Sequence, residues 1–166
     1  MGEARIRNAR KEDCEAIADI YNYYVENTDI SFEETKVSRE EIEKRLLNIT
    51  KEYPWIVYEK DGVIRGYAYL SKWKDRSAYR FTAETTIYVR SDEMGRGIGS
   101  LLLGRLMETV RSTKIHVLMA VIALPNEKSV RVHEKYGFRK VAHFTEVGFK
   151  HGKWIDVGYW ELGLQD

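Results

Sequence analysis

The chain has 166 residues, with 27 Lys and Arg against 26 Asp and Glu and a formal net charge of +1, so it has no general attraction to nucleic acid or anionic membrane. One domain over residues 1–166 is the expectation, with a core of useful size. A lone cysteine, Cys14, four histidines, no apolar run of membrane-spanning length and no leader-like N-terminal stretch point to a metal-free cytoplasmic protein without disulfides.

Ile6 opens a short predicted strand. Glu12, Asp13 and Glu15 place negative charge in the first turn of a helix whose apolar stripe runs from Cys14 to Val25. Cys14 shares that stripe with Ile17, Ala18 and Tyr21, as a buried structural thiol would. Beyond Ile30-Ser31-Phe32, Ser38 and Glu41 form a capping box for a second helix carrying Ile42, Leu46 and Ile49 on one face. Pro54 ends it. Trp55 to Tyr58 reads as a strand, and Asp61-Gly62 as a hairpin turn into a strand over Val63 to Trp73.

A charged bend, Lys74-Asp75-Arg76, precedes the alternating strand that ends at Val89. The next helix repeats Ile98, Leu102, Leu106 and Val110 on one face. Ile115 to Ile122 is a nearly continuous apolar run, as in a strand covered on both faces. Asn126 leads into a short helix closed by Gly137. Phe138 to Val147 and Trp154 to Leu162 supply two last strands, connected through Phe149-Lys150-His151-Gly152. The sum is a mixed α/β protein with helices interleaved into a sheet.

The most informative stretch is Gly95-Arg96-Gly97-Ile98-Gly99-Ser100, a glycine turn between a strand and an amphipathic helix. Such a turn brings backbone N–H groups and a helix N-terminus to a phosphate. It lacks the Lys of a nucleotide P-loop, and its alternate glycines do not follow the dinucleotide G-x-G-x-x-G pattern. A tight turn that merely needs glycine is the plain alternative.

This order of elements resembles the GNAT superfamily of N-acetyltransferases, and more narrowly the phosphinothricin N-acetyltransferase family. The stretches that carry the likeness are Ile20-Tyr21-Asn22, Tyr53-Pro54-Trp55, Trp73-Lys74, Thr82-Ala83-Glu84, Ala123-Leu124-Pro125-Asn126, Ser129 to Glu134 and Gly148 to Gly152. The resemblance implies an acyl-CoA N-acyltransferase fold, a mixed central sheet with helices on both faces, and acetyl-CoA as the donor. Its pyrophosphate would lie over Gly95, Arg96, Gly97, Ile98, Gly99 and Ser100. Its pantetheine arm would pair with Ile87, Tyr88 and Val89, with Asn126 and Ser129 beside it. Met94 departs from the superfamily's polar residue at that point and cannot hydrogen-bond a phosphate through its side chain.

Acetyl transfer needs a base for the amine, donors for an oxyanion and a proton for the departing thiolate. The resemblance implies Glu84 as the base and His133, where many relatives place tyrosine, as a proton donor or acceptor. A backbone N–H at or near Val89 is the natural oxyanion donor. Glu84 facing solvent and His133 as a plain helix residue are the bland readings. Phe32, Trp73, Arg76, Tyr79, Arg80 and Glu84 are the expected acceptor contacts, the arginines offering a cation to a carboxylate. The implied reaction is direct acetylation of the α-amine of a small amino acid or analogue such as phosphinothricin, methionine sulfoximine or methionine sulfone, hence detoxification or antibiotic resistance. Its rivals are a peptide or protein N-acetyltransferase and a non-catalytic acyl-CoA-binding module. The family also implies a homodimer.

Overall fold

In a computed structural model, which describes residues 2–164, seven strands form one sheet in the order β1-β2-β3-β4-β5-β7-β6. The strands are β1 (Ala4–Asn8), β2 (Trp55–Lys60), β3 (Val63–Lys72), β4 (Thr82–Val89), β5 (Val117–Leu124), β6 (Arg139–Lys150) and β7 (Lys153–Gly163). Four helices accompany them: α1 (Cys14–Asn27), α2 (Arg39–Ile49), α3 (Ile98–Val110) and α4 (Glu127–Lys135). Every strand pairing is antiparallel except β4 with β5.

Two apolar layers cover the sheet. One gathers Leu102, Leu103, Leu106 and Val110 of α3 against Ala68, Leu70, Leu118 and Ala120. The other gathers Cys14, Ile17 and Tyr24 of α1 and Ile42 and Leu46 of α2 against Trp55, Val57 and Tyr67. The helix stripes read from the sequence are therefore the buried faces. Ser38 caps α2, accepting from the Glu41 N–H at 3.1 Å.

Three local expectations change. Asp13 precedes α1 and is buried; it takes two guanidinium bonds from Arg7 at 2.8 and 2.9 Å and the Arg10 N–H at 2.7 Å. That pairing holds its carboxyl below the ordinary carboxylate range, against the opposing effect of burial. The fifth strand begins at Val117, because the His116 and Val117 N–H groups both turn to the Phe81 carbonyl. The last hairpin turns on His151 and Gly152 alone, at φ 52 and 75. Two residues in the left-handed region suffice for such a turn, so Phe149 and Lys150 remain in β6.

Lys150 is buried at 1% exposure, and its Nζ donates to the Ser31 carbonyl at 2.5 Å. Burial pulls its pKa down while nearby Asp29 and Glu34 oppose this. Lys153 bridges to Asp29 at 2.6 Å. The hairpin tip thereby fixes the segment after α1 that carries Ile30 and Phe32.

Candidate active site

Strands β4 and β5 are paired only from Thr82↔Val117 to Glu84↔Met119. Beyond that point they part, and a cavity of about 500 Å³ occupies the fork. It is lined by Glu84 to Val89 on one side and Ala120 to Ala123 on the other, with Gly95, Gly97 to Ser100, Asn126, Ser129 and His133 around it. The sequence candidates for catalysis and coenzyme contact thus converge, with one exception. Arg96 turns its guanidinium to Glu93 at 3.1 Å and does not line the cavity.

The backbone of β4 has a defined polarity there. Arg90 N–H donates to Arg65 O at 2.9 Å, and the β3–β4 register runs unshifted from Gly66↔Val89 to Lys72↔Ala83. In an antiparallel ladder alternate residues turn both backbone groups toward the same neighbour. Glu84, Thr86 and Tyr88 therefore face β3, and Thr85, Ile87 and Val89 face the fork. Of the three residues expected to pair with a pantetheine arm, Ile87 and Val89 present main-chain groups to it and Tyr88 does not. The Tyr24 hydroxyl donates to the Val89 carbonyl, which leaves the Val89 N–H for a ligand.

At the glycine turn, Gly95 and Gly97 adopt φ 80 and 81, a region that disfavours side chains. Gly97 is the N-cap of α3, and no side chain caps the helix. Its first-turn N–H groups are free to meet an anion. A phosphate group fits this cradle on the backbone alone. Met94 points inward, its sulfur 3.5 Å from the Tyr24 hydroxyl, so its departure from the usual polar residue subtracts nothing from the backbone donors.

Glu84 sits at the apex of the fork. Burial raises its carboxyl to about 7, opposed by nearby Lys74. Lys74 was not among the named acceptor contacts, although Trp73-Lys74 is one of the stretches that carry the family likeness and Lys74 opens the charged bend before β4.

His133 projects from α4 into the same space and is 4% exposed. Its Nδ1 lies 2.8 Å from the Ser129 carbonyl, and its Nε2 lies 2.9 Å from the Thr85 hydroxyl. A carbonyl only accepts, so Nδ1 carries the proton and Nε2 accepts from Thr85. Burial lowers the imidazole pKa, which keeps the ring neutral. The ring is set as an acceptor, with no Nε2 proton to give. Thr85, missed in the sequence, is its partner. Tyr136 offers no substitute: its hydroxyl donates to the Ser100 carbonyl at 2.8 Å.

Asn126 caps α4, its side-chain oxygen accepting the Ser129 N–H at 3.3 Å, and it also lines the cavity. Both readings of that residue hold together geometrically. The remaining acceptor candidates lie outside the cavity lining. Phe32 covers Gly148, where an added Cβ would meet its ring at 2.6 Å. Trp73 packs edge-on to Tyr79 and Tyr159 at 5.3 and 6.4 Å. Arg80 donates to Ser77 O at 3.0 Å and lies 4.4 Å from the Phe81 ring centre. Arg76 is exposed.

A parallel pair of strands that splay around a cavity, facing a glycine turn at a helix N-terminus, defines an acyl-coenzyme-type transferase cleft. The Acetyltransferase (GNAT) domain family matches residues 6–158, and the chain belongs to it. A phosphinothricin N-acetyltransferase of Streptomyces viridochromogenes is 38% identical over 160 residues, 96% of this chain and 87% of that protein. An L-methionine sulfoximine/L-methionine sulfone acetyltransferase of Salmonella typhimurium is 36% identical, covering 97% of this chain and 95% of that protein. A Salmonella typhimurium acetyltransferase solved with its cofactor acetyl-CoA superposes with a TM-score of 0.96 at 34% identity, over 99% of this chain and 95% of the other. The protein is therefore an N-acetyltransferase. Among the described residues no helix is long and apolar enough to cross a membrane, and no group of side chains could hold a metal ion.

Proposed function

We propose that the protein transfers an acetyl group from acetyl-CoA to the α-amine of a small amino acid or analogue of the phosphinothricin and methionine sulfoximine type. The observation that carries this reading is Glu84, a carboxylate raised to about 7 at the point where β4 and β5 part. A base so tuned takes a proton from an ammonium near neutrality and returns it readily. Lys74 beside it complements the carboxylate of a zwitterion, as Glu84 complements its ammonium. Gly95 to Ser100 would hold the pyrophosphate, and the fork-facing groups of Ile87 and Val89, with Asn126, the arm.

The deprotonated amine adds to the thioester carbonyl, and the oxygen that gains charge is met by a fork-facing backbone N–H at or near Val89 that the arm leaves free. The proton that nitrogen then gives up goes to the departing sulfur. His133 serves this sequence as a positioning residue that fixes Thr85. Trp73 and Arg76 border the acceptor from outside the cavity lining.

We assign the reaction to the cytoplasm, where the buried thiol of Cys14 stays reduced, and its role to detoxification of amino-acid analogues. A homodimer is formed through β6, an edge strand whose Phe144, Val147 and Phe149, with Trp154 of β7, are exposed. Such an apolar edge needs cover. Trp154→Glu is expected to shift the mass in solution to that of a monomer.

The enzymatic test is thiol release from acetyl-CoA across phosphinothricin, methionine sulfoximine, methionine sulfone, the standard amino acids and a lysine peptide, with Glu84→Gln alongside. Turnover on the small analogues, lost in Glu84→Gln, supports the reading. Turnover on the peptide alone replaces it with protein acetylation. Acetyl-CoA binding without any product replaces it with a binding module.

A further inference from the structure

Acetyl-CoA, on the reading above, brings a ribose 3′-phosphate as well as a pyrophosphate, and the glycine turn has no free side-chain cation to spend on it. Arg96 is tied to Glu93 at 3.1 Å, Arg65 to the same carboxylate at 2.5 Å, and Arg90 to Asp92 at 2.5 and 2.9 Å. Glu93, with a side chain 8% exposed, itself lines the cavity. The arginines nearest the turn are thus engaged by carboxylates.

Across the cavity, α4 presents Lys128, Arg131 and Lys135, three, four and seven residues apart along one face. Lys128 and Arg131 line the cavity with Asn126 and Ser129. Arg131 is shared with Glu127 at 3.2 Å, a pair in which both side chains are about four-fifths exposed. Lys128 has no ion-pair partner among the described residues. Lys135 reaches over to α3, its Nζ donating to the Ser100 hydroxyl at 2.8 Å, so it stands one hydrogen bond from the end of the glycine turn.

We propose that Lys128 and Lys135 of α4 form the recognition site for a ribose 3′-phosphate, making the protein selective for acetyl-CoA over its 3′-dephospho form. The turn contributes neutral backbone donors to the pyrophosphate, and α4 contributes the positive charge. The division follows from the chain itself. A compact ammonium on a flexible stem suits a terminal phosphate monoester at an exposed rim, where no planar bidentate geometry is imposed. The Lys135–Ser100 bond holds that ammonium beside the turn before a ligand arrives.

The test is calorimetric binding of acetyl-CoA and acetyl-3′-dephospho-CoA to the wild type and to the Lys128→Ala/Lys135→Ala variant, at low and high salt. The wild type is expected to prefer acetyl-CoA by roughly tenfold, the scale of one charge-assisted contact. The variant should lose that preference through weaker acetyl-CoA binding alone, its dephospho affinity unchanged. High salt should erode the wild-type preference. Equal wild-type affinities for the two ligands, or an equal loss of both in the variant, would overturn the assignment. Failure of the wild type to bind acetyl-CoA at all would instead overturn the donor reading on which this site rests, and the site with it.

Discussion

Replacing Glu84 with Gln should abolish turnover and yet make the protein more stable at alkaline pH. Burial carries the Glu84 carboxyl from an ordinary 4.5 to about 7. Holding an ionised group in such a place costs the native state about 3 kcal/mol relative to the unfolded chain. Between those two values the native state binds more protons than the unfolded state, so wild-type stability falls as pH rises through the window. Below about pH 4.5 both states hold the proton and the cost is absent; above about 7 it is complete. Gln carries no charge and escapes it. Urea unfolding of wild type and Glu84→Gln at pH values from below 5 to above 8 measures the difference. The variant's stability relative to wild type should climb across the window by about 3 kcal/mol, while any cost of the buried amide is the same at every pH and only offsets the whole curve. Because His133 and every other titrating group are common to both proteins, their contributions cancel. A stability difference that does not change with pH would refute the claim that the half-buried Glu84 carboxyl is raised.

Thr85→Val leaves the His133 Nε2 without its donor and should destabilise by about 1–3 kcal/mol, while Thr85→Ser keeps the bond and loses only one buried methyl, about 0.8 kcal/mol; denaturant unfolding of the pair checks the order. The imidazole nitrogen signals of His133 should show a neutral, Nδ1-protonated ring at pH 7, since burial holds its pKa below the ordinary 6.5; titration with a midpoint at or above 6.5 would contradict the two-sided bonding. Gly97→Ala places a Cβ in open space but at φ 81, so backbone strain of about 1–2 kcal/mol is the whole effect on folding. Its melting point should drop by roughly 3–6 °C, with weaker acetyl-CoA binding by calorimetry.

Much of the architecture is written in periodicity that survives folding. Ile98, Leu102, Leu106 and Val110 are all buried, because a four-residue repeat can only meet a sheet along one helix face. Asp61-Gly62 turns at φ 54 and 75, as that dipeptide prefers. The convergence of Glu84, the glycine turn, Asn126 and His133 on one cavity came from the family likeness; no local pattern brings residues 84 and 133 together. What escaped the sequence was direction. Arg96 and Met94 belong to the turn in sequence, yet one answers to Glu93 and the other to Tyr24. Tyr88 alternates away from the fork, which follows from the β3 register and from nothing within β4 itself. The acceptor side was least legible, since Phe32, Tyr79 and Arg80 each turn one side to Gly148, Trp73 or Phe81 and none of them lines the cavity. Lys74, near Glu84, was legible only as part of the Trp73-Lys74 stretch and the charged bend, with nothing to aim it at Glu84.

The most direct test is the pH dependence of kcat/KM for acetylation of methionine sulfoximine, measured by thiol release with saturating acetyl-CoA. The wild-type rate should rise through a single ionisation near pH 7, where Glu84 loses its proton. The Thr85→Val profile should keep that midpoint at a lower rate, and Glu84→Gln should have no rise at that pH. A wild-type midpoint that survives in Glu84→Gln would contradict the account and pass the role of base to another group.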